Sequence, residues 1–213
     1  MRKMIAGLIF GLMATTAQAE TLRIAALGDS LIQGYGLPQG DGWVPQLQAW
    51  LSAQGEDVEV INAGVSGDTT AGGAARVDWT LSDGPDGLIV ALGGNDLLRG
   101  IAPEESRRNL TKILQVAQSR NLPVLLVGME APGNYGADFK ESFDAIYPEL
   151  AGEFDTLLHA DSLAGMRAAT GNDLRAASQY LQDDGIHPNK EGVALNIAAI
   201  GPVVQALIDQ IEE

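Results

Sequence analysis

Five short apolar runs, at 22–27, 58–61, 88–92, 124–127 and 154–159, constrain this chain more than any other feature. The first, Leu22-Arg23-Ile24-Ala25-Ala26-Leu27, is too continuous for a strand with one face in water. Between the runs lie segments with helical spacing. Trp43, Leu47, Trp50 and Leu51 fall at i, i+4, i+7 and i+8, with Pro45 in the first turn and Gly55 as a stop. A loop rich in Gly, Ser, Thr and Asp, 62–73, leads into a helix from about Thr69 to Leu81. The clearest helix, 103–120, opens on Pro103, with Glu104 and Glu105 at the positive end of its dipole. Leu110, Ile113, Leu114 and Ala117 form its apolar face, and Asn121 stops it. Phe139, Phe143, Ile146, Tyr147 and Leu150 line one further helix. Val193, Ile197, Ile200, Val204, Leu207, Ile208 and Ile211 line the last, with Asn189 as its cap and a kink expected at Pro202. Gly171-Asn172-Asp173 breaks any pattern across 163–180. Strands that alternate with helices in this way predict an α/β fold, a parallel sheet covered on both faces.

A length of 213 residues with no repeat or linker predicts one domain, and 46% hydrophobic with 19% charged residues is enough for a true core. A net charge of −15 makes nucleic acid and anionic membrane surfaces poor partners, because both need cationic patches. The absence of cysteine excludes disulfides, thiolate metal sites, cysteine nucleophiles and a lipidated N-terminal cysteine. With two histidines, His159 and His187, a zinc centre is not expected, and His159 reads as structural. At the N-terminus, Arg2 and Lys3 precede an apolar stretch, 4–13, and Ala17-Gln18-Ala19 has the form of a cleavage site. Residues 1–19 therefore read as a signal peptide, and 20–213 as the mature domain. The apolar stretch is too short to span a bilayer comfortably, so no membrane anchor is expected after processing.

Four short blocks carry the chemistry. Leu27-Gly28-Asp29-Ser30-Leu31 follows the first apolar run, so Ser30 is presented at the carboxyl edge of the sheet, where ligands of open α/β folds bind. A serine hydroxyl needs a base and an orienting group. His187, three residues after Asp184 in a turn opened by Gly185, supplies the first, and Asp184 the second, with Asp183 a lower-ranked orienter. A backbone N–H at Gly64 and the side-chain amide of Asn95 could join the Ser30 N–H around a developing oxyanion. Each residue also has a plain structural reading: Asp29 or Ser30 as a helix cap, Gly64 and Asn95 as turn residues, His187 as a turn histidine. Gly34-x-Gly36-x-x-x-Gly40 has the wrong spacing for a dinucleotide loop, and the adjacent Asp183 and Asp184 need not straddle a sugar.

Taken together and in order, Gly-Asp-Ser, Asn-Ala-Gly, Gly-Gly-Asn-Asp and Asp-x-x-His resemble the four blocks of the GDSL/SGNH hydrolase family. Within it, Ser66-Gly67-Asp68-Thr69, Leu92-Gly93-Gly94-Asn95-Asp96, Asn134-Tyr135-Gly136 and 182–188 look most like bacterial periplasmic thioesterases, lysophospholipases and arylesterases. The resemblance implies a flavodoxin-like α/β/α sandwich with a mostly five-stranded sheet. It also implies a Ser30–His187–Asp184 triad and an oxyanion hole from Ser30, Gly64 and Asn95. No cofactor or metal is implied. The implied activity is exported hydrolysis of small-molecule carboxylic esters or thioesters; separately, a monomer is expected. A glycan O-acetyl esterase and a non-catalytic binding protein of the same fold are the alternatives. The loop at 134–136 corresponds to a region that shapes acyl binding, and 161–177, which has no match, is expected to line the acyl end of the pocket.

Overall fold

The computed structural model describes residues 21–213; the expected signal segment, 1–19, lies outside the described residues. In chain order the elements are β1 (Leu22–Gly28), α1 (Ser30–Gln33), α2 (Trp43–Gln54), β2 (Val58–Gly64), α3 (Thr70–Thr80), β3 (Gly87–Ala91), α4 (Gly94–Leu98) and α5 (Pro103–Ser119). They continue with β4 (Val124–Val127), a 3-10 turn (Gly133–Tyr135), α6 (Ala137–Asp144), α7 (Ile146–Phe154) and β5 (Leu157–His159). The chain ends with α8 (Ala164–Thr170), α9 (Leu174–Ala177), a second 3-10 turn (Ser178–Tyr180) and α10 (Lys190–Glu212).

All four strand pairings are parallel, in the order β2-β1-β3-β4-β5. The inner strands β3 and β4 and the body of β1 are apolar because each alternates its side chains between two covered faces, while the edge strand β2 exposes Glu59 and Asn62. Ala25, Leu27, Leu88, Val90 and Leu126 pack with α3, α5, α6 and α7. Ile24, Ala26, Ile89 and Leu125 pack on the other side with α2 and α10. The result is the flavodoxin-like three-layer sandwich. Although α10 is long and apolar enough to cross a membrane, its Val193, Ile197, Ile200, Val204, Leu207 and Ile208 are buried against the sheet.

The register aligns the strand ends. Gly28 pairs with Gly64 and with Ala91, Ala91 with Val127, and Val127 with His159. The segments that follow these residues therefore emerge along one edge. The chain changes direction between β1 and β3, which opens a crevice there. Ser30 follows β1 and Asn95 follows β3, so both sit at that crevice.

Two elements differ from their sequence expectation. The helix expected across 139–150 is two, α6 and α7, parted at Ala145. Pro148 has no N–H to donate to the carbonyl four residues back, at Asp144, and its ring crowds that carbonyl. The strand expected across 154–159 keeps only three residues, because α7 runs through Phe154 and Asp155 turns the chain at φ 51°. The last helix, α10, runs through Pro202 without interruption. The carbonyl that Pro202 leaves unpaired is that of Ala198, an exposed residue that water can serve.

Candidate active site

Asp29 directs the serine. It caps α1, its Oδ1 accepting from the Leu31 N–H at 3.0 Å, while Gly34 ends the helix at φ 83°. Gly28, just before it, leaves no room for a side chain: a Cβ there would overlap Ile32 and approach the Ala91 carbonyl. This tight strand–turn–helix junction puts Ser30 at the first helical position, facing the crevice.

The turn 182–188 is closed by its own backbone. Gln182 N–H donates to the His187 carbonyl at 2.8 Å, Gly185 N–H donates to the Gln182 carbonyl at 2.9 Å, and Leu181 pairs with Pro188. Inside it, Asp184 Oδ1 accepts from the N–H groups of Ile186 and His187 at 2.9 and 3.0 Å. Its Oδ2 lies 2.6 Å from His187 Nδ1, and His187 Nε2 lies 2.9 Å from Ser30 Oγ. The His187 backbone N–H and imidazole, then the Ile186 N–H, hold the Asp184 carboxyl down to about 2. Asp184, not its neighbour Asp183, makes this contact. The ring of Tyr35 packs on that of His187, their centroids 4.8 Å apart.

Ser30 and His187 open onto a groove of about 1130 Å³, mouth included. Leu97, Leu98, Met129, Pro132, Tyr135 and Ile186 give it an apolar wall, and Gly67 and Asn95 lie along it. Tyr135 Oη donates to the Leu97 carbonyl at 2.5 Å, which joins the 134–136 loop to α4. Of the unmatched segment 161–177, Leu163 lines the groove, and with Ser162 it lines a narrower apolar chamber behind Ser30, beside Trp43, Val127 and Ile200.

Asn95 sits in α4 with its amide N–H donating to Asp29 Oδ2 at 3.2 Å, so the aspartate that caps the serine helix also aims this amide. Burial raises the Asp29 carboxyl, partly offset by the Leu31 N–H and the Asn95 amide. Gly64 is placed differently from its sequence expectation. It does not line the groove. Its N–H donates to Asn62 Oδ1 at 2.9 Å, and a Cβ there would overlap the Gln33 backbone, so this glycine serves the packing of β2 against α1. Gly67, at φ 83°, stands at the groove instead, and among the described residues no acceptor bonds its N–H.

Three further side chains support the site from beneath. Arg76 donates to the Gly28 carbonyl at 2.9 Å and to Asp68 Oδ2 at 2.7 Å, tying the Gly67 loop to the serine strand. Asp96, fully buried, accepts from the Thr70 N–H and from the hydroxyls of Thr70 and Ser106. Tyr147 donates to the Leu92 carbonyl at 2.9 Å beneath the β3–α4 turn. His159 is buried at the end of β5, away from the groove, and burial lowers its pKa. Among the described residues no group of three or more His, Asp or Glu is placed to hold a metal ion.

The chain also has clear relatives among known proteins. Residues 26–195 match the GDSL-like Lipase/Acylhydrolase family. The chain is 35% identical over 209 residues to Esterase TesA of Pseudomonas aeruginosa, covering 98% of this chain and 100% of that protein. It is 40% identical over 177 residues to Thioesterase 1/protease 1/lysophospholipase L1 of Escherichia coli strain K12, covering 82% of this chain and 78% of that protein. Among solved structures it is similar to AlinE4, an SGNH-hydrolase family esterase, with a TM-score of 0.71 and 40% identity over 89% of this chain and 98% of that one.

Proposed function

Since the chain belongs to the GDSL-like lipase/acylhydrolase family, we propose that it hydrolyses carboxylic esters and thioesters through an acyl-enzyme on Ser30. The observation that carries this reading is the hydrogen-bonded series Asp184–His187–Ser30, which opens on an apolar groove. Asp184, ionised, holds Nδ1–H and leaves Nε2 free to take the serine proton. Ser30 Oγ attacks the acyl carbonyl, and His187 then gives the proton to the departing alcohol or thiol. Water, deprotonated by the same imidazole, releases the acid and restores Ser30. The charge on the tetrahedral oxygen is met by the Ser30 N–H, the Asn95 amide and the Gly67 N–H, with Gly67 in place of Gly64. Each such donor is worth about 3–4 kcal/mol of barrier. Neutral imidazole is the base, so the rate falls as His187 is protonated.

The apolar groove wall favours an acyl chain over a sugar as the group held beside Ser30. All five groups come from one chain, so a monomer is sufficient. The sequence of residues 1–19 supports export to the periplasm or beyond, with 20–213 as the working domain.

The test is hydrolysis of p-nitrophenyl esters from acetyl to palmitoyl by the 20–213 protein and its Ser30→Ala variant. We expect a Ser30-dependent rate that peaks at medium or long chains. Hydrolysis confined to acetate would favour glycan deacetylation, and folded protein with no turnover at any length would leave a binding role.

A further inference from the structure

The nucleophile and its base come from loops some 150 residues apart in sequence, yet they meet at 2.9 Å. One side chain bridges those loops. Gln182 Nε2 donates one N–H to the Tyr35 carbonyl at 2.9 Å and the other to the Pro188 carbonyl at 3.0 Å. Tyr35 N–H donates in turn to the Ser30 carbonyl at 3.1 Å, and Pro188 follows His187 directly. The path Ser30–Tyr35–Gln182–Pro188–His187 thus closes a ring around the reacting pair. Two further observations point to the same side chain. Gly36 leaves space for it: a Cβ there would overlap Gln182 Oε1. The Gln182 backbone also pins the Asp184–His187 turn at both ends, to the His187 carbonyl and the Gly185 N–H.

From this geometry we propose that Gln182 is a positioning residue that holds the Ser30 loop and the His187 loop in register, and so sets the contact between Ser30 Oγ and His187 Nε2. Neither carbonyl it bridges belongs to a reacting residue, and its side chain touches neither Ser30 Oγ nor the imidazole by hydrogen bond. The residue acts through distance alone. A displacement of about 1 Å between reacting groups can cost on the order of 100-fold in rate.

The inference rests on the reading of Ser30 as nucleophile, and the experiment separates the two. Wild type, Ser30→Ala, Gln182→Met and Gln182→Glu are compared for kcat and KM on a p-nitrophenyl ester and for phosphonylation by a small fluorophosphonate. That probe needs an activated serine and no acyl groove. Gln182→Met keeps the volume and removes both donors. We expect kcat and the phosphonylation rate to fall together by about 10- to 100-fold, with KM within about twofold and an unchanged circular dichroism spectrum. Gln182→Glu presents a carboxylate to two carbonyls when ionised and a single donor when protonated. Its rate relative to wild type therefore rises as pH falls, which a packing defect would not produce. Wild-type kcat and phosphonylation rates in both Gln182 variants, or a loss confined to KM, would overturn the proposal. Equal behaviour of wild type and Ser30→Ala would instead overturn the reading beneath it.

Discussion

Asp29 does two jobs with one carboxylate, and substitution separates them. Oδ1 caps α1 through Leu31, and Oδ2 holds the Asn95 amide. Asparagine is nearly the same shape, but one of its two ends is a donor. Either the cap or the Asn95 contact then becomes donor against donor. Asp29→Asn is expected to lower kcat on the order of 10-fold or more with KM little changed, because Asn95 is needed most once the oxyanion forms. Steady-state kinetics on a p-nitrophenyl ester check this, and wild-type kcat would remove Asp29 from the machinery. At this scale the sequence was informative where chemistry fixes spacing. Asp184 and His187 are three residues apart in one turn, and Ser30 directly follows a strand. It was uninformative where a role depends on backbone direction. Gly64 ends β2 and Gly67 follows three residues later, yet the Gly64 N–H turns to Asn62 and Gly67 reaches the groove. No residue-type preference distinguishes the two. Gln182 is invisible for a related reason, since its partners are carbonyls, which every residue has.

Three helices meet at the side chain of Asp96. It sits on α4, one residue after Asn95, and accepts from the Thr70 N–H at the start of α3, from the Thr70 hydroxyl, and from Ser106 in α5. Asp96→Ala would leave these three donors buried without an acceptor, at a cost of about 1–3 kcal/mol for each unmet group. A total loss of about 3 kcal/mol or more is expected in urea unfolding. Asp96→Asn, which keeps one acceptor oxygen, should lose less; a change below about 1 kcal/mol in the alanine variant would contradict this account. Elements of this fold were legible in proportion to how much of their pattern is local. The inner strands β1, β3 and β4 announced themselves because both faces are buried, and α5 because its proline, acids and apolar stripe agree. The four-residue α1 and five-residue α4 are too short to show a period. They are made by a cap and by glycines at the strand ends, and the site hangs on them. The division of α6 from α7 was written in Pro148, whose effect falls on a carbonyl four residues earlier.

Across the whole molecule, two carboxylates with opposite displacements shape the response to acid. The Asp184 carboxyl is held down from 3.8 to about 2 by the N–H groups and imidazole around it. A depressed carboxylate stabilises the folded state above its unfolded value, and that contribution disappears as pH falls from near 4 to about 2. Asp29 is displaced the other way, raised from 3.8 by burial. Its ionised form therefore costs stability at neutral pH, and the cost lifts as pH falls through the raised value, because the folded state then binds the proton first. The net charge of −15 acts in the same sense as Asp29, since protonating carboxylates relieves repulsion in the compact state. Asp29 thus adds a rise in the thermal midpoint of the 20–213 protein as pH falls through its raised value. Buried His159, its pKa lowered, adds a fall as pH drops below the ordinary histidine value. The loss of the Asp184 contribution makes midpoints drop below about pH 4. Asp29→Asn should flatten the rise, and Asp184→Asn should soften the acid-side drop. Added salt should shrink the part of the rise that survives in Asp29→Asn, because screening acts on surface repulsion and leaves a buried desolvation cost largely untouched. A rise of equal size in wild type and Asp29→Asn, abolished by salt in both, would assign the whole effect to surface charge and leave Asp29 ionised at no cost.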